Sequence, residues 1–240
     1  IHYLIMPNRQ SSNEMINFYQ HKDIQKHLPK SHNPHFEDHQ ISLPARLGII
    51  GNSGSRKSNF LLNFLSKAND TFSHIYMCVK TPDEPLYAFL NDKLKGKNIT
   101  FFTKLSELPE PKDLKKYGEN TLLVIDDMCN EKDQEVVSEY FIFGRKLGIT
   151  SVYISQSYFK IPKTTRLQFS HLMLLKLSSI RDLNMVMADY NLGLSKDEVK
   201  SIYKDATKTA GDFLKIDVNT ADNNKRYSRN FTDFYSVEKE

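Results

Sequence analysis

Cysteine is scarce: the 240-residue chain holds two, Cys78 and Cys129. That count excludes a disulfide framework and a four-cysteine zinc site. No apolar run approaches the roughly 20 residues a helix needs to cross a bilayer. Ile1 to Gln10 lack the long apolar core of a secretory signal. No internal repeat and no low-complexity tract is visible. Neither sign of charge dominates, with 33 Lys and Arg against 29 Asp and Glu and a formal charge of +4. So small an excess permits a nucleic-acid partner without demanding one. At 39% hydrophobic and 26% charged residues, the composition is that of a soluble globular protein, long enough to bury a core of its own.

Residues 1–43 have weak periodicity and read as an N-terminal arm. His32, His35 and His39 stand close together there, and they read as solvated side chains, not as metal ligands. From residue 44 to 240 a single body is expected. Short apolar strands are predicted at Leu47–Ile50, Ile75–Val79, Ile99–Thr103, Thr121–Ile125, Thr150–Ile154 and Leu172–Leu177. Helices are predicted at Asn59–Lys67, Glu84–Lys95 and Lys132–Leu147, the last with Val136, Val137, Tyr140, Phe141 and Phe143 inward. Such alternation predicts an α/β fold with a mostly parallel central sheet flanked by helices. Two more helices, Arg181–Ala188 and Lys196–Ala206, precede a predicted C-terminal β-hairpin of Phe213–Val218 and Lys225–Phe231.

The sharpest motif is Gly51-Asn52-Ser53-Gly54-Ser55-Arg56-Lys57-Ser58, followed by Asn59. It sits between an apolar strand and a helix, as a Walker A phosphate loop does. Such a loop curls backbone amides around phosphates, reaches them with a lysine (Lys57), and offers a hydroxyl (Ser58) to magnesium. The first helical amides and the positive end of the helix dipole add to the anion site. One position departs from the pattern, because Arg56 stands where glycine precedes the lysine. A tolerated variation, an impaired site, and an engineered or erroneous residue are all open accounts of it. An impaired site would mean weakened hydrolysis. Leu122-Leu123-Val124-Ile125-Asp126-Asp127 supplies the acidic partner: Asp126 is the expected magnesium residue and Asp127 the expected base. Gln156, after Ile154-Ser155, is placed to sense the γ-phosphate. Two small basic groups, Lys112 with Lys115 and Lys116, and Lys225 and Arg226 with Arg229 around Tyr227, could touch nucleic-acid phosphates. Taken separately, each group reads better as an ordinary solvated surface than as a phosphate contact.

These motifs, with Gly144-Arg145-Lys146-Leu147-Gly148-Ile149-Thr150 and Ser155-Gln156-Ser157-Tyr158-Phe159-Lys160-Ile161-Pro162, resemble the DNA-packaging ATPases of poxviruses, other nucleocytoplasmic large DNA viruses and virophages, within the FtsK–HerA superfamily of P-loop NTPases. The resemblance runs roughly from Pro44 to Tyr235. It implies a homo-oligomeric ring, hexameric in form, that uses ATP and Mg2+ to thread double-stranded DNA into a preformed capsid. It also implies a capsid or vertex protein as partner, a place in the host cytoplasm at viral factories, and association with the virion. By similarity, Lys57, Asp126, Asp127 and Gln156 are catalytic, and an arginine of a neighbouring subunit completes each site. Arg166 is the first candidate for that arginine, Arg145 the second, and Arg181 a further one. Two other readings stay open: a nucleotide-impaired ring subunit docking at the capsid vertex, and a helicase-like or DNA-transfer ATPase.

Overall fold

The computed structural model describes residues 17–27, 32–95, 98–114, 120–190 and 192–236. The chain forms two compact units, residues 1–30 and 31–240. In the first, a 3-10 turn at Phe18–Gln20 leads into α1 (Lys22–Gln25); residues 1–16 and 28–31 of the expected arm lie outside the described residues.

The second unit runs α2 (Phe36–His39), β1 (Arg46–Ile50), α3 (Lys57–Lys67), β2 (His74–Val79), α4 (Pro85–Lys93), β3 (Ile99–Phe102), α5 (Pro111–Leu114) and β4 (Thr121–Asp126). It continues with α6 (Gln134–Phe143), β5 (Ile149–Ser155), α7 (Lys163–Arg166), β6 (His171–Leu174), α8 (Ile180–Asp189), α9 (Lys196–Ala206), β7 (Leu214–Asp217), β8 (Tyr227–Arg229) and β9 (Asp233–Phe234). The strands form one nine-stranded sheet in the order β3-β2-β4-β5-β1-β6-β7-β8-β9. Pairing is parallel from β3 to β6 and antiparallel from β6 to β9.

The central strands owe their place to continuous apolar sequence. Leu122 to Ile125 and Ile149 to Ser155 are buried along their whole length, as strands covered on both faces must be. On one face, Ile49, Val124 and Ile154 pack under Phe60, Leu61 and Phe64 of α3 and Tyr87 and Leu90 of α4. On the other, Ile50, Ile125 and Tyr153 pack under Val137, Tyr140 and Phe141 of α6 and Leu183 and Val186 of α8. One strand, β5, separates β1 from β4. Its register pairs Ser155 with Ile50 and Ile154 with Asp126. The ends of three strands are therefore level, and the segments that follow them meet at one edge.

Several expectations are corrected. Residues 32–43 pack on the body instead of trailing from it: Ile41 is buried, and the His39 ring meets Phe64 edge-on with centroids 5.5 Å apart. His39 is not solvated; its Nδ1 accepts from the Ile41 amide at 3.1 Å and its Nε2 meets Asn33 Oδ1 at 3.2 Å. Burial lowers its pKa to about 4. The predicted helix to Leu147 ends at Phe143 and tightens into a 3-10 turn, Gly144–Leu147. Phe143 is 51% exposed, because two positions beyond the buried Phe141 lies about 200° around a helix.

The C-terminal hairpin is present with shorter strands, and β9 extends it. Two of its basic residues have partners within the hairpin, and Lys225 is exposed. Arg226 donates to the carbonyls of Val218 at 3.2 Å and Thr220 at 2.6 Å, and Arg229 pairs with Asp233 at 3.0 Å. Lys112 pairs with Glu110 at 2.5 Å, while Lys115 and Lys116 lie outside the described residues. Lys215 on β7 is buried and donates to the carbonyls of His39 at 3.3 Å, Gln40 at 3.5 Å and Phe231. Burial lowers its pKa to about 8.

Candidate nucleotide site

The loop after β1 is hung from its neighbours: the Gly51 amide donates to Ser155 O at 3.2 Å and the Asn52 amide to Lys176 O at 2.8 Å. Gly51 has no substitute, because a Cβ there would stand 2.4 Å from Ser55 Oγ and 2.8 Å from Leu175 Cβ. Gly54 takes φ 76°, the left-handed conformation glycine adopts without strain. The 11-residue helix α3 starts at Lys57, so its unpaired amides face the hollow of the loop. Lys57 Nζ donates to Asn52 O at 3.0 Å. Burial pulls its pKa down, and Asp126, Asp127 and Glu84 resist that pull.

Arg56 takes φ 72° and ψ 36°. A side chain in this region carries about 1–2 kcal/mol of strain. The guanidinium does not lie over the phosphate hollow. Its Nη1 donates to Ala210 O at 3.0 Å, in the turn between α9 and β7. A Cβ on Gly211 would come within 3.1 Å of Arg56 Cδ, so the smallest residue sits where the side chain passes.

The acidic residues close the other wall. The Tyr87 hydroxyl donates to Asp126 Oδ2. Burial raises the Asp126 pKa to about 6, against the opposing pull of that hydrogen bond and of Lys57. Asp127 stands at φ 52° with its amide on Ile154 O at 3.1 Å. Gln156 Nε2 donates to Asp127 Oδ2 at 3.2 Å, which fixes the carboxylate at the tip of the neighbouring strand. A cavity of about 390 Å³ joins Lys57, Ser58, Glu84, Asp126, Asp127 and Gln156, with Ser53, Gly54, Arg56 and Asn59 on its rim.

Ser58 and Asp126 offer a hydroxyl and a carboxylate, the oxygen donors a hard dication prefers. Among the described residues no three His, Cys, Asp or Glu converge to hold a metal by themselves. A magnesium here fits only with phosphate oxygens and water completing its shell.

The arginine candidates part ways. Arg166 is 12% exposed at its side chain, bonds Asp189 Oδ2 through Nε at 2.7 Å and Ile161 O through Nη1 at 3.2 Å, and lies over the Tyr158 ring. Arg145 is exposed, in the turn before β5, where its charge acts on Arg46 at the start of β1. That is the edge of the sheet opposite the loop. Arg181 is exposed at the start of α8 and lies 4.0 Å from the centroid of the Phe159 ring.

Sequence reasoning missed Glu84 and Tyr87. The available signal was Pro82-Asp83-Glu84-Pro85 at the C-terminal end of β2, the strand beside β4, since ligands of such sheets gather at that edge.

The sequence family described as Poxvirus A32 protein matches residues 34–239. The DNA packaging protein OPG160 of Variola virus is 24% identical over 168 residues, which cover 65% of this chain and 62% of that protein. The monkeypox virus protein of the same name is also 24% identical, with 56% of its length covered. The chain thus spans less than two thirds of these relatives. Among solved structures, the genome packaging NTPase B204 of Sulfolobus turreted icosahedral virus 2, in complex with ATP-gammaS, has TM-score 0.56 and 15% identity, covering 79% of this chain and 98% of that one. The pCW3 conjugation coupling protein TcpA, with ATPgS, has TM-score 0.54 and 15% identity, covering 82% and 62%. At these identities the likeness is one of fold.

Proposed function

The chain belongs to the poxvirus A32 protein family, and from that premise we propose that it is an ATPase that drives viral double-stranded DNA into a preformed capsid. The observation that carries this reading is the convergence of Lys57, Ser58, Asp126, Asp127 and Gln156, from three level strand ends, on one cavity beside a helix N-terminus. Lys57 and the first amides of α3 hold the β- and γ-phosphates. Ser58 and Asp126 would hold Mg2+, which when bound would supply positive charge against the phosphate oxygens. Asp127 accepts the proton of the attacking water, and Gln156 keeps its carboxylate in place and reads the γ-phosphate.

Two features support an assembly of several chains. The relatives include a packaging NTPase, and no arginine of the described residues other than Arg56 lines the cavity. A neighbouring subunit of a hexameric ring then supplies the missing cation. Arg166 is spent on Asp189, so the exposed Arg181 and Arg145 are better disposed to face another chain. A capsid vertex protein as docking partner, and action in the host cytoplasm where virions assemble, complete the proposal. The test is ATP turnover measured against protein concentration with and without duplex DNA. A steep rise with concentration and stimulation by DNA are expected. Turnover that is absent, or indifferent to both, would overturn it.

A further inference from the structure

Glu84 occupies the N-cap of α4, with Pro85 as the first helical residue, yet its carboxylate caps none of the helix's free amides. It points across the cavity to a residue 26 positions earlier: Ser58 Oγ donates to Glu84 Oε1 at 3.4 Å. The same helical turn delivers Tyr87, whose hydroxyl donates to Asp126. The two residues assigned above to the dication are therefore both met from the start of α4, Asp126 by Tyr87, and Ser58 by Glu84 and by the Tyr87 hydroxyl. Glu84 is also near enough to act electrostatically on Lys57 and Asp126.

The chemistry of a serine ligand gives this arrangement a direction. A hydroxyl has one proton to donate and two lone pairs to offer. A metal takes a lone pair, and the proton must then point elsewhere. An acceptor that holds the proton turns a lone pair toward the metal, which is how partners outside the coordination shell orient the ligands inside it. A capping role would direct the carboxylate at the amides of α4, which it does not meet.

We infer that Glu84 is a positioning residue of the nucleotide site: it accepts the Ser58 proton so that the Ser58 oxygen faces the magnesium that arrives with ATP. This rests on the function proposed above. Glu84 acts through Ser58, not on the substrate, so its loss is felt where the metal is present and not where it is absent.

The experiment is calorimetric titration of ATP, with Mg2+ and again with EDTA, into the parent chain, Glu84→Ala, Glu84→Gln, Ser58→Ala and the Glu84→Ala/Ser58→Ala pair. Mn2+ binding to the nucleotide complexes is followed in parallel by electron paramagnetic resonance. Glu84→Ala is expected to weaken metal-dependent binding about tenfold or more, the range lost when such partners are removed, and to leave binding in EDTA within about twofold. Glu84→Gln keeps an acceptor oxygen and should recover most of the loss. In the Ser58→Ala background, Glu84→Ala should add nothing, since the residue it works through is gone. Parent-like metal dependence in both Glu84 variants overturns the inference, and so does an equal loss with and without metal. Should Glu84→Ala fail to fold, Glu84→Gln still decides: a loss of tenfold there shows that charge, not proton acceptance, is what counts, and the inference falls. A parent chain that binds no nucleotide refutes the ATPase reading first, which keeps the two failures distinct.

Discussion

Replacing Arg56 sets two opposed terms against each other. The left-handed backbone at φ 72° costs a non-glycine residue about 1–2 kcal/mol, and Arg56→Gly relieves it. The same change removes the bond from the guanidinium to Ala210 O at 3.0 Å. An exposed hydrogen bond of this kind contributes about 0.5–1.5 kcal/mol. Glycine also gives the unfolded chain about 0.4–1 kcal/mol of extra freedom to lose. The terms nearly cancel, so Arg56→Gly should change stability by no more than about 1 kcal/mol, and ATP affinity by less than about fivefold. Arg56→Ala keeps the strain and loses the anchor. It should be the worst of the three, destabilised by about 1 kcal/mol and binding ATP more weakly than either. Urea denaturation and calorimetric ATP titration of the three proteins at one magnesium concentration measure both quantities. A tenfold or greater rise in affinity for Arg56→Gly would show that the arginine obstructs the phosphates, against the placement of its side chain. An alanine form equal to the parent would show that the anchor to Ala210 contributes nothing.

Lys57→Ala should abolish most ATP binding while leaving the melting temperature within a few degrees of the parent, since the ammonium's hydrogen bond goes to the loop carbonyl of Asn52 and not to the core; unchanged affinity in calorimetry would rule out its phosphate role. Asp127→Asn should lower turnover by at least about tenfold and spare ATP affinity, whereas Asp126→Asn should weaken affinity in Mg2+ and not in EDTA; identical behaviour of the pair would remove the division of labour. Arg166→Ala should cost about 1.5–3 kcal/mol of stability, since Asp189 loses its cation but keeps the Tyr158 hydroxyl at 3.0 Å, while Arg181→Ala should keep the parent's urea midpoint and hydrolyse ATP poorly in the assembled form; the reverse pattern would return Arg166 to the role of intersubunit cation. Burial lowers the pKa of His39 to about 4, so this histidine binds protons more readily unfolded, at roughly 6.5. Its stabilisation is whole above pH 6.5 and drains away as pH falls toward 4, by up to about 3 kcal/mol; thermal melts from pH 7 to 4 should show a shallower loss for His39→Gln, and a parallel loss would acquit that histidine.

The strands of the central sheet were readable because each is a short apolar run buried on both faces, and the phosphate loop and Asp126–Asp127 because they end such runs. Gln156 was readable for the same reason, at the end of the strand that lies between them. What escaped was decided by partners distant in sequence. Glu84 reads as the start of a helix until Ser58 is seen opposite it. Arg166 reads as a free cation until Asp189, 23 residues on, closes over it. His39 looked solvated among polar neighbours because Phe64 and Asn33, its burying partners, come from other elements. Strand β9, with two residues, is too short to leave a pattern, and Phe143 followed the apolar composition of α6 but not its angular order.

The buried Lys215 ties the two ends of the body's synthesis together. The His39 carbonyl it binds emerges 176 residues before it does, a wait of about 10–35 s at ordinary translation rates. Until then that carbonyl lacks the partner it has in the finished protein, and β6 stands as an open edge awaiting β7, a template for pairing with the wrong chain. The antiparallel half of the sheet therefore closes only after Leu214 to Asp217 have been made, long after the parallel half beside it.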